Sequence, residues 1–376
     1  MNIYGIICEY NPLHLGHKKQ MDHIKSRGGA IVCLMSGNFV QRGQPAIIDK
    51  IKRAQAAVDC GADLVLELPV TAALSSAEGF ASGGVDILGK FCDTLSFGAE
   101  TADKEQLMNI AQQLLSSDFS DKLREELEQG LSFPAARQKA LGADGEILST
   151  PNNILAVEYC KAIIKGGYSM DIEPITRTGS YHDALPHPTE PSATAVRKLM
   201  LDHKDFSPYV PLGSFKNADL HHISYGERAV LAKLRTMTDS EFEALPFGSE
   251  GLWRKLMHES RRQATLEDIL NAVKSKRYTR TRLDRMVMCA FLGITQQLMA
   301  QPAPYVRVLG FNDTGREILR KARQSGEFIN IGQFAEHPYQ ALENRCTDLY
   351  GLFAEALSPA GSELESRVYY NRQIEN

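Results

Sequence analysis

The sequence predicts an α/β fold in which a parallel sheet flanked by helices occupies residues 1–205 and a mostly helical region follows over 206–376. Three observations carry this. Between Ile3 and about Phe97, short apolar runs alternate with longer helical patterns: IYGII, HKKQMDHI, AIVCLM, DKIKRAQAAVDCG, DLVLELP, AEGFASGGVDILGKF and TLSFG. That order is the mark of a doubly wound sheet. The runs IVCLM and LVLEL are continuous rather than alternating, as strands covered on both faces are. Beyond about residue 205 strand signals are weak and helical periodicity prevails.

Taken in order, the first strand ends at Asn11-Pro12, and a helix starts around His17. Gly61, just after AAVDC, is placed to end the next helix before the LVLEL strand. Residues 103–147 are helical and charged, a large connection before PNNILAVEYCKAIIKGGY, where Ser149 or Asn152 fits the cap of a helix running to about Lys165. MDIEPITR is a further strand. The segment from Thr178 to Pro191 is rich in Pro, His and small residues and reads as a long loop of the kind that carries function. SATAVRKLM then begins a helix with Ser192 as its cap. No internal repeat or low-complexity segment interrupts the pattern.

A chain of 376 residues exceeds what one core usually organises, hence the boundary near 205. With 43% hydrophobic and 23% charged residues and a net charge of -4, it is an ordinary globular composition. A nucleic-acid partner would therefore have to be held by a local basic patch, not by the total field. The seven cysteines are scattered, with no CxxC pair, which argues against a disulfide framework and a thiolate zinc cluster. Glu9 breaks the first apolar run, there is no basic leader region, and no stretch reaches the roughly 18 apolar residues of a spanning helix. A cytoplasmic protein is expected.

The chemistry concentrates in IICEYNPLHLGH. Gly16 allows close backbone approach, and the free N–H groups of the following helix start favour an anion such as phosphate. Imidazoles at His14 and His17 would there donate hydrogen bonds to oxygens whose charge develops during phosphoryl or nucleotidyl transfer. Structural histidines, or a metal site with Cys8, are the other readings of this motif, although zinc wants three or four ligands. Neither GxxxxGK[ST] nor GxGxxG follows the first strand, so P-loop and dinucleotide readings lose their support.

NPLHLGH resembles the HxGH signature of the nucleotidyltransferase superfamily, and SATAVR (192–197) resembles its second signature, a Ser/Thr-rich helix start that holds phosphates. Over nearly the whole chain, GIICEYNPLHLGH, LMSGNFVQRGQPAI, ADLVLELP, LSFGAE, PNNILAVEY and KRYTRTRLDRM are similar to the bacterial tRNA(Met) cytidine acetate ligase family. The resemblance implies a Rossmann-like, HUP-type nucleotidyltransferase domain at 1–205 and a tRNA-binding helical domain at 206–376. It also implies an activity: ATP, with Mg2+, activates acetate as acetyladenylate, and acetyl passes to N4 of the wobble cytidine of elongator tRNA(Met), giving N4-acetylcytidine.

The resemblance further implies an ATP site made of Ile7, Cys8, Glu9, Tyr10, Asn11, Pro12, Leu13, His14, Leu15, Gly16, His17, Lys18, Lys19 and Gln20, with His14 and His17 catalytic. Gly98, one of Asn152 and Asn153, Arg177, and the phosphate-binding Ser192, Thr194 and Arg197 complete it. Ser36 to Gly43, with Ser36, Gly37 and Asn38 foremost, follow the carboxyl end of an apolar strand and fit either acetate or cytidine contacts or a simple connecting loop. Lys50 and Arg53, one turn apart, fit either cations offered to a ligand or a solvated helix face. Lys274, Lys276, Arg277, Arg280 and Arg282, with Tyr278 interleaved, form the candidate tRNA surface, and Trp253 to Arg262 would extend it. No metal-ligand set is expected. The alternatives are an adenylyltransferase acting on a phosphorylated small metabolite, and a catalytically idle nucleotide- or RNA-binding adaptor.

Overall fold

The computed structural model describes residues 1–177, 187, 191–324 and 338–372. Most of the predicted 178–191 loop, residues 178–186 and 188–190, lies outside the described residues. Seven strands, β1 (Ile3–Cys8), β2 (Ala30–Ser36), β3 (Leu64–Leu68), β4 (Thr94–Ala99), β5 (Asp171–Thr176), β6 (Arg307–Asn312) and β7 (Tyr369–Asn371), form one sheet in the order β5-β4-β1-β2-β3-β6-β7. β1 to β5 pair in parallel, β6 runs antiparallel to β3, and β7 is parallel to β6. The chain winds outward through β1, β2 and β3, then returns to lay β4 and β5 on the other side of β1. The resulting switch point, between the carboxyl ends of β1 and β4, is where such sheets open a ligand crevice.

The continuous apolar runs are explained by burial on both faces. Ile31, Cys33 and Met35 of β2 join Tyr4 and Ile6 in one core, whereas Ala30, Val32 and Leu34 join Leu64, Leu66, Phe80 and Val85 in the other. The helices that matter to the site are α1 (Leu15–Ser26), α2 (Lys50–Asp59), α3 (Ala77–Leu88), α4 (Pro151–Gly166), α5 (Ala193–Leu201), α6 (Ile223–Thr236), α7 (Arg280–Leu292) and α8 (Pro338–Tyr350). As expected, α2 stops just before Gly61, whose φ of 119° few other residues adopt, and Ser192 caps α5 by accepting the Ala195 N–H. The α4 cap differs: Thr150 is the cap residue and Pro151 opens the helix, so neither Ser149 nor Asn152 caps it.

The C-terminal part is largely helical and builds its own core from residues such as Leu234, Leu256, Ile269, Met286, Phe291 and Phe353. It is not only helical, because β6 and β7 complete the sheet. Their signal was weak because β7 has three residues and β6 is a short run inserted between helices. Gly43 marks the seam with α7. Its φ is 74°, and any Cβ there would lie 2.4 Å from the Arg285 backbone nitrogen.

Neither sequence reading of Lys50 and Arg53 holds. Both side chains are buried. Lys50 Nζ pairs with Glu67 at 2.8 Å and Glu363 at 2.7 Å. The Arg53 guanidinium donates to the carbonyls of Ile48, Glu9, Ser36 and Gly37. Burying a charge demands such full pairing; here it locks the turns that follow β1 and β2.

Candidate active site

His14 is the N-cap of α1. Its Nδ1 accepts the Gly16 N–H at 3.1 Å, and His17 Nδ1 accepts the His14 N–H at 3.3 Å, a reciprocal capping box made of two histidines. The rings stack at 3.7 Å with 22° between planes. A backbone N–H only donates, so each Nδ1 is an acceptor and a neutral ring carries its proton on Nε2. Burial, then the nearby Arg177 and Arg197 charges, push His14 down to about 3. Burial, then His14 and Arg177, hold His17 well below the ordinary imidazole range. Both are therefore neutral Nε2–H donors at pH 7. His14 Nε2 is buried and has no hydrogen-bond partner among the described residues.

Two arginines face this turn. Arg197, on the first turns of α5, donates to the Asn11 carbonyl at 2.6 Å and to Thr194 Oγ1 at 3.1 Å. Arg177 follows β5 and lies across Gly98 of β4; a Cβ at residue 98 would come within 2.6 Å of Arg177 Cδ. The glycine is thus needed for close approach.

These elements surround a cleft of about 780 Å³ at the switch point, a size suited to a small-molecule ligand. Of the predicted ATP-site residues, Ile7, Cys8, Glu9, Tyr10, Asn11, His14, Gly16, His17, Lys19, Gln20, Gly98, Asn152, Arg177, Ser192, Thr194 and Arg197 line it. Five do not. Leu13 is fully buried in the core, Lys18 pairs with Asp22 on the surface, Pro12 is buried, and Leu15 is half-buried away from the cleft lining. Asn153 is also buried, with its side chain used by Thr101.

Ser36, Gly37 and Asn38 need correction. They lie behind the cleft wall, not on it: Ser36 and Gly37 offer their carbonyls to Arg53, while Asn38 holds the Lys50 N–H and Thr347. Gly37 and Asn38 border a separate pocket of about 10 Å³ with Lys50, Glu67 and Glu343. The physical reason is the buried Arg53 and Lys50, which draw this turn inward. The later part of the predicted Ser36 to Gly43 stretch, Val40 to Arg42, does line the cleft, with Gln44 and Pro45 beside it.

Several lining residues escaped the sequence reading. Glu100 accepts from Thr150 Oγ1, Asn152 Nδ2 and the Asn153 N–H, and so orients the start of α4. Tyr159, His221, His222, Thr281 and Arg285 also line the cleft. The adjacent pair His221-His222 was the one visible signal, and nothing local marked the others. Among the described residues no group of three or more His, Cys, Asp or Glu is placed to hold a metal ion.

The basic segment is largely engaged within the molecule. Arg277 pairs with Glu250, Arg280 with Glu267 and Asp284, and Arg282 donates to the Phe247 carbonyl and Ser249 while lying 5.1 Å over the Tyr278 ring. Lys274 and Lys276 are exposed and make no ion pair among the described residues.

A parallel sheet with an HxGH turn at its switch point defines a nucleotidyltransferase, and residues 1–363 match the HIGH nucleotidyl transferase family. The tRNA(Met) cytidine acetate ligase of Clostridium acetobutylicum is 34% identical, covering 96% of this chain and 97% of its own. That of Clostridium novyi is 36% identical over 86% and 88%. The crystal structure of ligand-free Thermotoga maritima TmcAL superposes with a TM-score of 0.91 at 28% identity, covering 99% of this chain and 100% of that one. The form bound with alpha-thio ATP gives 0.88 at the same identity and coverage. This chain belongs to the HIGH nucleotidyltransferase family and, within it, to the tRNA(Met) cytidine acetate ligases. No described helix is long and apolar enough to cross a membrane.

Proposed function

We propose that this chain binds ATP in the switch-point cleft, joins acetate to its α-phosphate, and transfers the acetyl group to N4 of the wobble cytidine of elongator tRNA(Met). The observation that carries the reading is the buried Nε2 of His14, without a hydrogen-bond partner among the described residues, beside Arg197 and Arg177, in a chain whose relatives are named for that activity. In the first step an acetate oxygen bonds to the α-phosphorus and the bond to the β-phosphate oxygen breaks, releasing pyrophosphate. Negative charge grows on phosphate oxygens, where neutral Nε2–H donors and guanidinium groups are of most use. In the second, the cytosine amine bonds to the acetyl carbon and the bond to the adenylate oxygen breaks. That amine is a poor nucleophile because its lone pair is delocalised into the ring, hence the need for an activated acyl group.

Among the described residues no group of three or more His, Cys, Asp or Glu is placed to hold a metal ion, and no step is assigned to Mg2+. The exposed Lys274 and Lys276, at the approach to α7, suit contact with the tRNA backbone. α7 itself reaches the cleft with Thr281 and Arg285. An enzyme consuming ATP and modifying tRNA works in the cytoplasm. The test is mass spectrometry of nucleosides from methionine tRNA incubated with the protein, ATP, Mg2+ and labelled acetate. Labelled N4-acetylcytidine is expected. Its absence with competent tRNA sinks the reading and makes phosphorylated small metabolites the next acceptors to try.

A further inference from the structure

We propose that His221 is the base that takes the N4 proton of cytosine during acetyl transfer, an assignment that rests on the two-step reading above. Four imidazoles line the cleft among the described residues: His14, His17, His221 and His222. Three present a proton at Nε2. His14 and His17 do so for the reason already given, and His222 Nδ1 likewise accepts a backbone N–H, from Ser224 at 3.3 Å. His221 has the opposite tautomer. Its Nδ1 lies 3.3 Å from the Asp219 carbonyl oxygen, which only accepts, so Nδ1 carries the proton and Nε2 keeps its lone pair. Nε2 makes no hydrogen bond among the described residues.

The ring is also held in place. It stacks on Tyr350 at 4.0 Å with 11° between planes. Its backbone N–H donates to the Ile47 carbonyl at 2.9 Å, the Ile47 N–H donates to Asn11 Oδ1 at 2.7 Å, and the Asn11 carbonyl receives Arg197. Two hydrogen bonds therefore connect His221 to the HxGH turn, from a segment 200 residues further along the chain. The charged groups around it are Asp49, Asp219 and Lys52, with Arg53 beyond Tyr350 and His222 next in sequence. Burial outweighs the two carboxylates and lowers its pKa, leaving the ring neutral at pH 7.

In the step, N4 bonds to the acetyl carbon, and the carbon–oxygen bond to the adenylate breaks with its electron pair leaving on AMP. The N4 proton passes to Nε2, and the imidazolium returns it to water. His14 and His17 cannot serve in this way while Nε2 holds their proton.

The experiment compares wild type with His221→Asn, whose amide keeps a donor toward the Asp219 carbonyl. Acetate-dependent ATP–pyrophosphate exchange reads the first step, and single-turnover transfer from preformed enzyme-bound acetyladenylate to tRNA reads the second. H221N should keep exchange within about twofold and lose about 100-fold in transfer, the usual worth of a general base. Wild-type transfer should show an acid limb displaced below the ordinary imidazole range, in the direction burial moves the ring, and H221N should lack that limb. Equal losses in both steps, or transfer with an unchanged profile, overturn the assignment. Should H221N not fold, His221→Gln takes its place, and equal losses in exchange and transfer in that variant overturn the assignment. Absence of exchange in the wild type instead refutes the two-step reading, and the base assignment falls with it.

Discussion

The Arg197 guanidinium donates to the Asn11 carbonyl at 2.6 Å across 186 residues of chain, fastening the helix start of the second signature to the turn of the first. The same side chain holds Thr194 and contributes to the field that keeps His14 neutral. Arg197→Ala should lower kcat/KM for ATP by about 100-fold, because a charge-assisted contact and the alignment of two phosphate-binding segments are lost together. Arg197→Lys should recover little of this, since an ammonium cannot reproduce the planar fork. Steady-state kinetics with varied ATP checks both; full activity in R197K would refute the alignment role.

His14 has separable duties, Nδ1 capping α1 and Nε2 facing the cleft. His14→Ala should lose both, with about 1 kcal/mol of stability from the cap and about 100-fold or more in kcat from the donor. His14→Asn, whose amide oxygen can still cap the helix, should keep the stability and lose the activity. Thermal unfolding beside exchange kinetics separates the two.

Glu343 sits in the buried cluster of Lys50, Glu67 and Glu363, and donation from Tyr305 at 2.8 Å fixes its carboxylate. Burial, then the Glu67 charge, raise its carboxyl to about 7. A carboxyl whose folded pKa lies above the unfolded value of about 4.3 binds its proton more tightly when folded. Its contribution to stability is full below that unfolded value and is lost as pH rises through about 7. The stability of wild type relative to Glu343→Gln should therefore decline between about pH 4.3 and about 7 in urea titrations. His14 acts oppositely. With its folded pKa lowered to about 3, its contribution is lost as pH falls below the ordinary imidazole value, so it must be present in both proteins compared.

Among the cations of the basic segment, Lys274 and Lys276 are exposed and make no ion pair among the described residues, whereas Arg277 and Arg280 already hold Glu250, Glu267 and Asp284. Lys274→Glu with Lys276→Glu should weaken tRNA binding and reduce its salt slope by about 1 per lysine, leaving ATP binding intact. Arg280→Glu should instead lower stability by stranding Asp284. Binding titrations at several salt concentrations decide: an unchanged slope in the double lysine variant removes this surface from the interface.

What was legible in the sequence was local. The parallel core strands could be read because apolar runs buried on both faces leave a continuous pattern, and the HxGH and Ser192 helix starts because capping acts over three residues. The cleft could be anticipated at the switch point once the order of strands and helices was known. What only the tertiary structure decided depends on partners far apart in the chain. Lys50 is claimed by Glu363 and Asn38 by Thr347, which makes a predicted ligand contact at Asn38 and an open choice at Lys50 into buried supports. β6 and β7 return from the C-terminal part to finish the sheet. His221 reaches the HxGH turn through Ile47, and its tautomer is set by one carbonyl. A lone pair or an ion pair is assigned by whatever packs against it, and no periodicity within the chain records that neighbour.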